Sequence, residues 1–296
     1  MSDTMLEIFQ ASRPKLFGIA YRMLGSVSEA EDLLQEAWLR FQATDHATVR
    51  SPEAFLTTIV TRLALDQLKS ARMQREVYPG IWLPEPLATP DQQLGGDPLD
   101  DMLKLESVSL AFLHLLESLS PEERAVFLLR EVFDYDYGMI ARFLQKSEAA
   151  CRQLFHRAKG HVAAHRPRFP ATADEHQRVL GEFIQAVQSG DLNGLMALMA
   201  EDVASYADGG GKATAAMHPI YGRDAVTRFV HGLSRFLTPG YTVEVTPLNG
   251  WPSVVVRAAS GELITAVALN VVEGKIQALH FIRNPDKLQR VIDSRG

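Results

Sequence analysis

Residues 208–212 read Asp208-Gly209-Gly210-Gly211-Lys212, bare backbone set between an acid and a base. Glycine gives up more chain entropy on folding than any other residue, so three in a row need a reason, of which a flexible turn after a strand is the plainest and a close approach beside WLPEP and NPDKL the other. A phosphate-binding loop is the familiar chemistry for glycines followed by lysine. Here its wider spacing and the Ser/Thr after the lysine are missing. A second concentration of chemistry runs from Arg142 to Arg168. There Arg142, Lys146, Arg152, Arg157, Lys159, Arg166 and Arg168 stand against one acid, Glu148, with His156, His161 and His165 interspersed. Such a run suits a phosphate backbone; a solvated basic helix face is the plainer alternative. A third set, Asp208, His218, Tyr221 and His280, has the residue types for general acid/base catalysis. That chemistry needs a tuned group in a dry cavity, and nothing in the spacing brings these four together. The single cysteine, Cys151, excludes an internal disulfide and a cysteine-based zinc site. No metal and no cofactor is expected.

The elements that must hold these residues fall into two patterns. Up to about residue 170 the pattern is helical. Ser28-Glu29-Ala30-Glu31 has the form of a capping box, followed by Leu33, Leu34, Ala37, Trp38 and Phe41 on one face. Ser51-Pro52 opens another helix, with Phe55, Ile59 and Leu63, running to about Arg75. Ser120-Pro121-Glu122-Glu123 is the strongest start signal in the chain. A short helix with Tyr137, Ile140, Ala141 and Leu144 precedes one capped by Ser147, on which Cys151, Leu154, Ala158 and Val162 share a face. That pair has the shape of a helix-turn-helix, whose second helix enters the major groove. Between the helical stretches, Tyr78–Pro98 is dense in Pro and Gly and reads as a linker. Its apolar Ile81-Trp82-Leu83 predicts docking on something. After Pro167 and Pro170 come two amphipathic helices, a strand near Val203–Tyr206, a helix over Gly222–Phe236 and four short β-like runs: Tyr241–Val245, Ser253–Arg257, Leu263–Val271 and Lys275–Ile282. Ser260-Gly261 and Glu273-Gly274 take hairpin-turn positions. Helices followed by antiparallel strands predict an α+β domain.

The 296 residues suffice for two or three modest domains, and 46% hydrophobic content supports packed cores. The net charge of −6 makes the local basic run more informative than the total. No apolar run is long enough to span a bilayer, and the first residues lack a signal-peptide block. A cytoplasmic protein with no membrane partner is expected.

Three long stretches carry a family resemblance. LFGIAYRMLGSVSEAEDLLQEAWLRF resembles regions 2.1–2.2 of bacterial sigma factors of the extracytoplasmic-function (ECF) group, within the sigma-70 family. AFLTTIVTRLALDQLKSAR is similar to regions 2.3–2.4, and LSPEERAVFLLREVFDYDYGMIARFLQKSEAACRQLFHRAKGHV resembles region 4. The resemblance covers about residues 5–166. The remainder is similar to SnoaL-like domains of the nuclear-transport-factor-2 superfamily. WLPEP (Trp82, Leu83, Pro84, Glu85, Pro86), DGGGK (Asp208, Gly209, Gly210, Gly211, Lys212) and NPDKL (Asn284, Pro285, Asp286, Lys287, Leu288) together resemble a subgroup carrying that extension, which includes the sigma-J-like proteins.

The resemblance implies a multidomain chain: all-α sigma region 2 (1–78), a linker with WLPEP (79–105), region 4 with its helix-turn-helix (106–166) and an α+β SnoaL-like cone domain (174–296). It implies that Asp32, Leu33, Gln35 and Glu36 bind the β′ clamp helices of core RNA polymerase, with the β flap as a further partner. His46 and Arg50, in the loop Thr44–Ser51 where such factors hold an unstacked base, and Arg62, Asp66, Lys69 and Arg72 would meet the −10 element of promoter DNA. Asp66 reads either as a base-edge acceptor or as an intrahelical partner of Arg62 or Lys69. Lys146, Ser147, Arg152, Gln153, His156 and Arg157 would meet the −35 element. The implied function is promoter-specific transcription initiation, with the three short motifs regulating it in cis and no catalysis by the chain itself. The alternative is a DNA-binding regulator fused to a SnoaL-like enzyme or to a sensor of an unknown small ligand in the C-terminal pocket; dispensable residues 5–78 would mark it.

Overall fold

The computed structural model describes residues 2–45, 49–75, 77–88, 108–165, 171–234 and 240–293. The chain divides into two compact units, one of Met1–Glu76 with Leu113–Arg166, the other of Val77–Phe112 with Pro167–Gly296.

The first unit is helical. Helices α1 (Ser2–Leu24), α2 (Val27–Gln42) and α3 (Pro52–Arg75) bury Leu16, Ile19, Met23, Leu34, Phe41, Leu56 and Val60 among themselves. The cap of α2 lies two residues before the expected Ser28: Ser26 accepts from the Glu29 N–H at 3.3 Å. Two overlapping Ser-x-x-Glu patterns occur here, and Gly25, at φ 69°, ends α1 so sharply that the earlier one is used. Ser51 caps α3 as expected, accepting from Ala54 N–H.

Then come α4 (Leu110–Leu116), α5 (Pro121–Phe127), a π turn over Leu128–Val132, α6 (Tyr137–Leu144) and α7 (Glu148–His165). The predicted Ser120/Glu123 capping box is complete. Ser147 caps α7, accepting from the Ala150 N–H at 3.2 Å. The turn between α6 and α7 is made by Gln145 at φ 53°, with no glycine to announce it.

The second unit is α+β. Its elements are α8 (Ala173–Ser189), α9 (Leu192–Leu198), β1 (Met199–Asp208), β2 (Ile220–Tyr221), α10 (Arg223–Ser234), β3 (Thr242–Leu248), β4 (Trp251–Arg257), β5 (Leu263–Val272), β6 (Lys275–Ile282) and α11 (Pro285–Asp293). The strands form one sheet in the order β2-β1-β6-β5-β4-β3. It is mixed, where antiparallel strands were expected: β1 runs parallel to β6, the intervening helix and hairpins returning the chain to that edge.

Alternate residues of the strands serve two faces, as the two-residue side-chain period demands. Val254, Val256, Val267, Leu279 and Phe281 join Val179, Phe183, Leu195 and Val230 of the helices in one core cluster. Val255, Ala266, Ala268 and Ile282 face the other way, packed with Leu288 and Val291 of α11 and with Leu83 from the segment between the two helical stretches. Leu83 has no exposed surface. The apolar triplet at 81–83 thus docks on the far side of the sheet from α8.

Candidate nucleic-acid interface and a polar clasp on the linker

The outer face of α7 is built as its spacing requires. Cys151, Leu154, Ala158 and Val162 are buried, whereas Arg152, Gln153, His156 and Arg157 are exposed, with Ser147 exposed at the start. The cations already hold acids: Lys146–Glu122 at 3.0 Å, Arg152–Glu148 at 2.8 Å and Arg157–Glu123 at 2.9 Å. The Arg152–Glu148 pair is exposed on both sides and worth about 0–1 kcal/mol, so phosphate can displace that carboxylate, whereas Glu122 and Glu123 are half-buried. Arg152 also lies 5.0 Å over the Tyr137 ring.

On α2, Asp32, Gln35 and Glu36 are exposed, and Glu36 pairs with Arg40 at 2.7 Å. Leu39 continues the 32, 35, 36 spacing and is 59% exposed, an apolar addition to that face which sequence reading missed. Leu33, expected with them, is 4% exposed inside the bundle core, because its position in the 3.6-residue period faces α1 and α3. Leu33→Ala is expected to lower stability by about 2–5 kcal/mol, seen as a drop in melting temperature. Asp32→Ala should leave the melt unchanged. A Leu33→Ala chain melting like its parent would return Leu33 to the surface.

Arg62, on α3, does not pair with Asp66. Its guanidinium donates to the carbonyls of Phe143 and Arg142 at 2.9 and 3.1 Å, at the C-terminal end of α6, the first helix of the helix-turn-helix. Thr57 and Tyr135 join the same two modules through their hydroxyls at 3.2 Å. Arg124, 1% exposed, reaches from α5 to the Arg22 carbonyl of α1 at 3.1 Å and pairs with Glu117. Arg50 lines a cavity of about 310 Å³ whose other walls include Phe55 and Thr58 from α3 and Met139, Arg142 and Phe143 from α6. Asp66 and Lys69 are exposed. His46 and the side chain of Arg72 lie outside the described residues.

In the second unit the three short motifs meet around one carboxylate. Asp208, at the end of β1, is completely buried. Its Oδ1 accepts from the Tyr78 hydroxyl at 2.7 Å and the Gly210 N–H at 3.0 Å. Its Oδ2 accepts from the Leu83 N–H at 2.9 Å and Lys287 Nζ at 2.7 Å. Two bonds to each oxygen fill a carboxylate's capacity. Lys287 also donates to the Leu83 carbonyl and lies 4.1 Å over the Trp82 ring and 5.3 Å over that of Tyr78. Asn284 caps α11, accepting from the Asp286 N–H at 3.1 Å, and donates to the Tyr78 hydroxyl at 2.9 Å. Burial, and then the bond to Asp208, pushes the Tyr78 phenol well above its ordinary pKa, so it remains a donor.

The glycines now have reasons. Gly210 and Gly211 take φ of 60° and 70°, a left-handed backbone that L side chains resist. A Cβ on Gly210 would overlap the Asn284 side chain, and one on Gly211 would reach Pro79. Lys212 pairs with Asp286 at 2.6 Å, not with Asp208. Glu85 is 3% exposed within the docked segment. Asn249 is a further residue of this arrangement that sequence reading passed over. It accepts from the Leu87 N–H at 2.9 Å and donates to the Val108 carbonyl at 2.7 Å. Its signal was the Asn249-Gly250 hairpin turn.

Of the acid/base candidates, His280 is 2% exposed and stacks on Tyr206 at 5.4 Å, and Asp208 is committed to the clasp. His218 and Tyr221 are exposed. None of the four lines the apolar cavity between α8, α10 and the sheet.

Two helical modules, the second ending in a helix-turn-helix with a basic outer face, followed by an α+β domain, define a DNA-binding factor of the sigma type. Residues 8–73 match the family model of sigma-70 region 2, and residues 109–162 that of sigma-70 region 4. The ECF RNA polymerase sigma factor SigJ of Mycobacterium tuberculosis is 37% identical over 94% of this chain and 91% of its own length. The probable ECF RNA polymerase sigma factor SigI of the same species is 31% identical over 97% and 95%. The crystal structure of M. tuberculosis SigJ superposes with a TM-score of 0.77 at 34% identity, covering 96% of this chain and 98% of that one. The chain belongs to the ECF family of RNA polymerase sigma factors.

Proposed function

We propose that this sigma factor initiates transcription under the control of its own C-terminal domain, which acts by gripping the segment between regions 2 and 4. Asp32, Gln35 and Glu36, with Leu39, dock on the β′ clamp helices of core polymerase, and region 4 meets the β flap. Lys146, Ser147, Arg152, Gln153, His156 and Arg157 meet the −35 element, where Arg and Gln read base edges and Lys and Arg hold phosphates. Arg50, Arg62, Asp66 and Lys69 meet the −10 element, together with His46 and Arg72. For Arg62 to do so, α6 must first release it. The C-terminal domain regulates and does not catalyse.

The observation that carries this reading is the Asp208 carboxylate, which spends two of its four hydrogen bonds on Tyr78 and Leu83 of the inter-module segment. A segment anchored there limits how far apart the two modules can reach, and hence which promoter spacings both can meet. The test is run-off transcription with core polymerase on a promoter library, comparing the full chain with one lacking residues 174–296. Promoter preference is expected to persist while output and tolerated spacing change. Identical output from both chains would sink control in cis, and no initiation by either would sink the promoter assignments.

A further inference from the structure

The helix-covered face of the sheet holds a feature that control of the linker does not use. An apolar cavity of about 170 Å³ is enclosed by Phe183, Val187, Val230, Val243, Val254 and Phe281, among others. A wider hollow of about 500 Å³ adjoins it, sharing Leu233, Phe281 and Arg283. Arg283 is the one charged side chain among the described residues lining either space. It follows Ile282 at the end of β6, where Ile282 pairs with Ala266 of β5.

Arg283 is half-buried at the edge of the cavity, so its guanidinium can meet an anion there without having left water altogether. Partial burial pushes the Arg283 group below its ordinary pKa. Its Nη1 donates to the Thr214 carbonyl. That accounts for little of a fork of five N–H donors, whose planar geometry fits a carboxylate through two parallel bonds. The walls supply the complementary half: aliphatic and aromatic surface whose removal from water drives binding of an apolar body.

We propose that this cavity binds a small apolar carboxylic acid, of the medium-chain alkanoate or single-ring aryl-alkanoate class, with its carboxylate on Arg283 and its hydrocarbon between α8, α10 and the sheet. The cavity lies on the other face of the sheet from the linker clasp, and the Arg283 main-chain N–H donates to the Asp208 carbonyl at 2.7 Å.

The full chain is titrated calorimetrically with octanoate and, separately, with octanol, which has the same tail and no charge. Saturable one-to-one binding of octanoate is expected, at least about tenfold tighter than octanol, as a charge-assisted bidentate contact requires. Arg283→Met keeps the stem, removes the charge and should erase that preference, leaving weak binding of both. Arg283→Gln is read the same way should the Met chain fail to melt cooperatively. Val230→Trp, which fills the cavity, should abolish both. Absence of octanoate binding, equal affinity for octanol, or full octanoate affinity in the Arg283 variants would each overturn the proposal.

Discussion

An Asp208→Ala chain is expected to lose about 3–5 kcal/mol of stability in the C-terminal unit, the usual result of removing one partner from a buried ion pair. The ammonium of Lys287, whose side chain is 11% exposed, would lose its carboxylate while still facing the Leu83 carbonyl and two aromatic rings. The Leu83 N–H and the Tyr78 hydroxyl would lose their acceptor at the same time. Urea unfolding measures the loss, and chymotryptic cleavage between Trp82 and Leu83 measures release of the segment. Lys287→Met in the Asp208→Ala background should recover at least about 1 kcal/mol, since neighbouring sites couple. If Asp208→Ala unfolds like its parent and leaves Trp82-Leu83 uncut, the clasp is not what holds the linker.

Arg124→Ala has the next largest expected effect. Arg124 is the largest fully buried side chain described, and it joins α5 to the last turn of α1. Its loss removes a donor from Glu117, 19% exposed, and from the Arg22 carbonyl. A cost of about 3 kcal/mol follows, at the low end for a buried pair because one partner touches water. The consequence is looser attachment of region 4 to region 2. Amide hydrogen exchange should therefore accelerate in α5 and in the Arg22 turn, while the Asp208 network stays protected. Unchanged exchange at both would show that the remaining contacts of α3 and α6 hold the modules together unaided.

Much of the helical half was legible because its signals are local. Ser51-Pro52, the Ser120 box and Ser147 act within one turn and need no knowledge of the rest of the chain. The start of α2 was misplaced by two residues because two equivalent caps overlap and only the turn at Gly25 decides between them. Leu33 stood in the apolar stripe with Leu34, Ala37 and Phe41, so its burial was legible in the helical period, and only the family resemblance had set it among the contact residues. In the sheet, Pro247 and Pro252 cut two strands short in the sequence, since proline lacks a ladder donor. They lie directly opposite one another in the β3–β4 pairing, which continues past them to the Asn249-Gly250 turn. The parallel pairing of β1 with β6 carries no local mark. Nor could spacing place Arg62 against α6, or Asp208 among donors from segments far along the chain. The residue types of the clasp were visible; their convergence is tertiary.

The order in which the clasp parts are made has its own consequence. Asp208 comes 125 residues after Leu83, and Lys287 comes 204 residues after it. At a synthesis rate of about 5–20 residues per second, the last piece of the clasp is added roughly 10–40 seconds after the linker. Region 4 ends near residue 166, so for the later part of that interval regions 2 and 4 are both made while the linker is still unheld. Each newly made molecule therefore passes through an ungripped period before its own C-terminus closes the grip, and the length of that period is set by the speed of the ribosome.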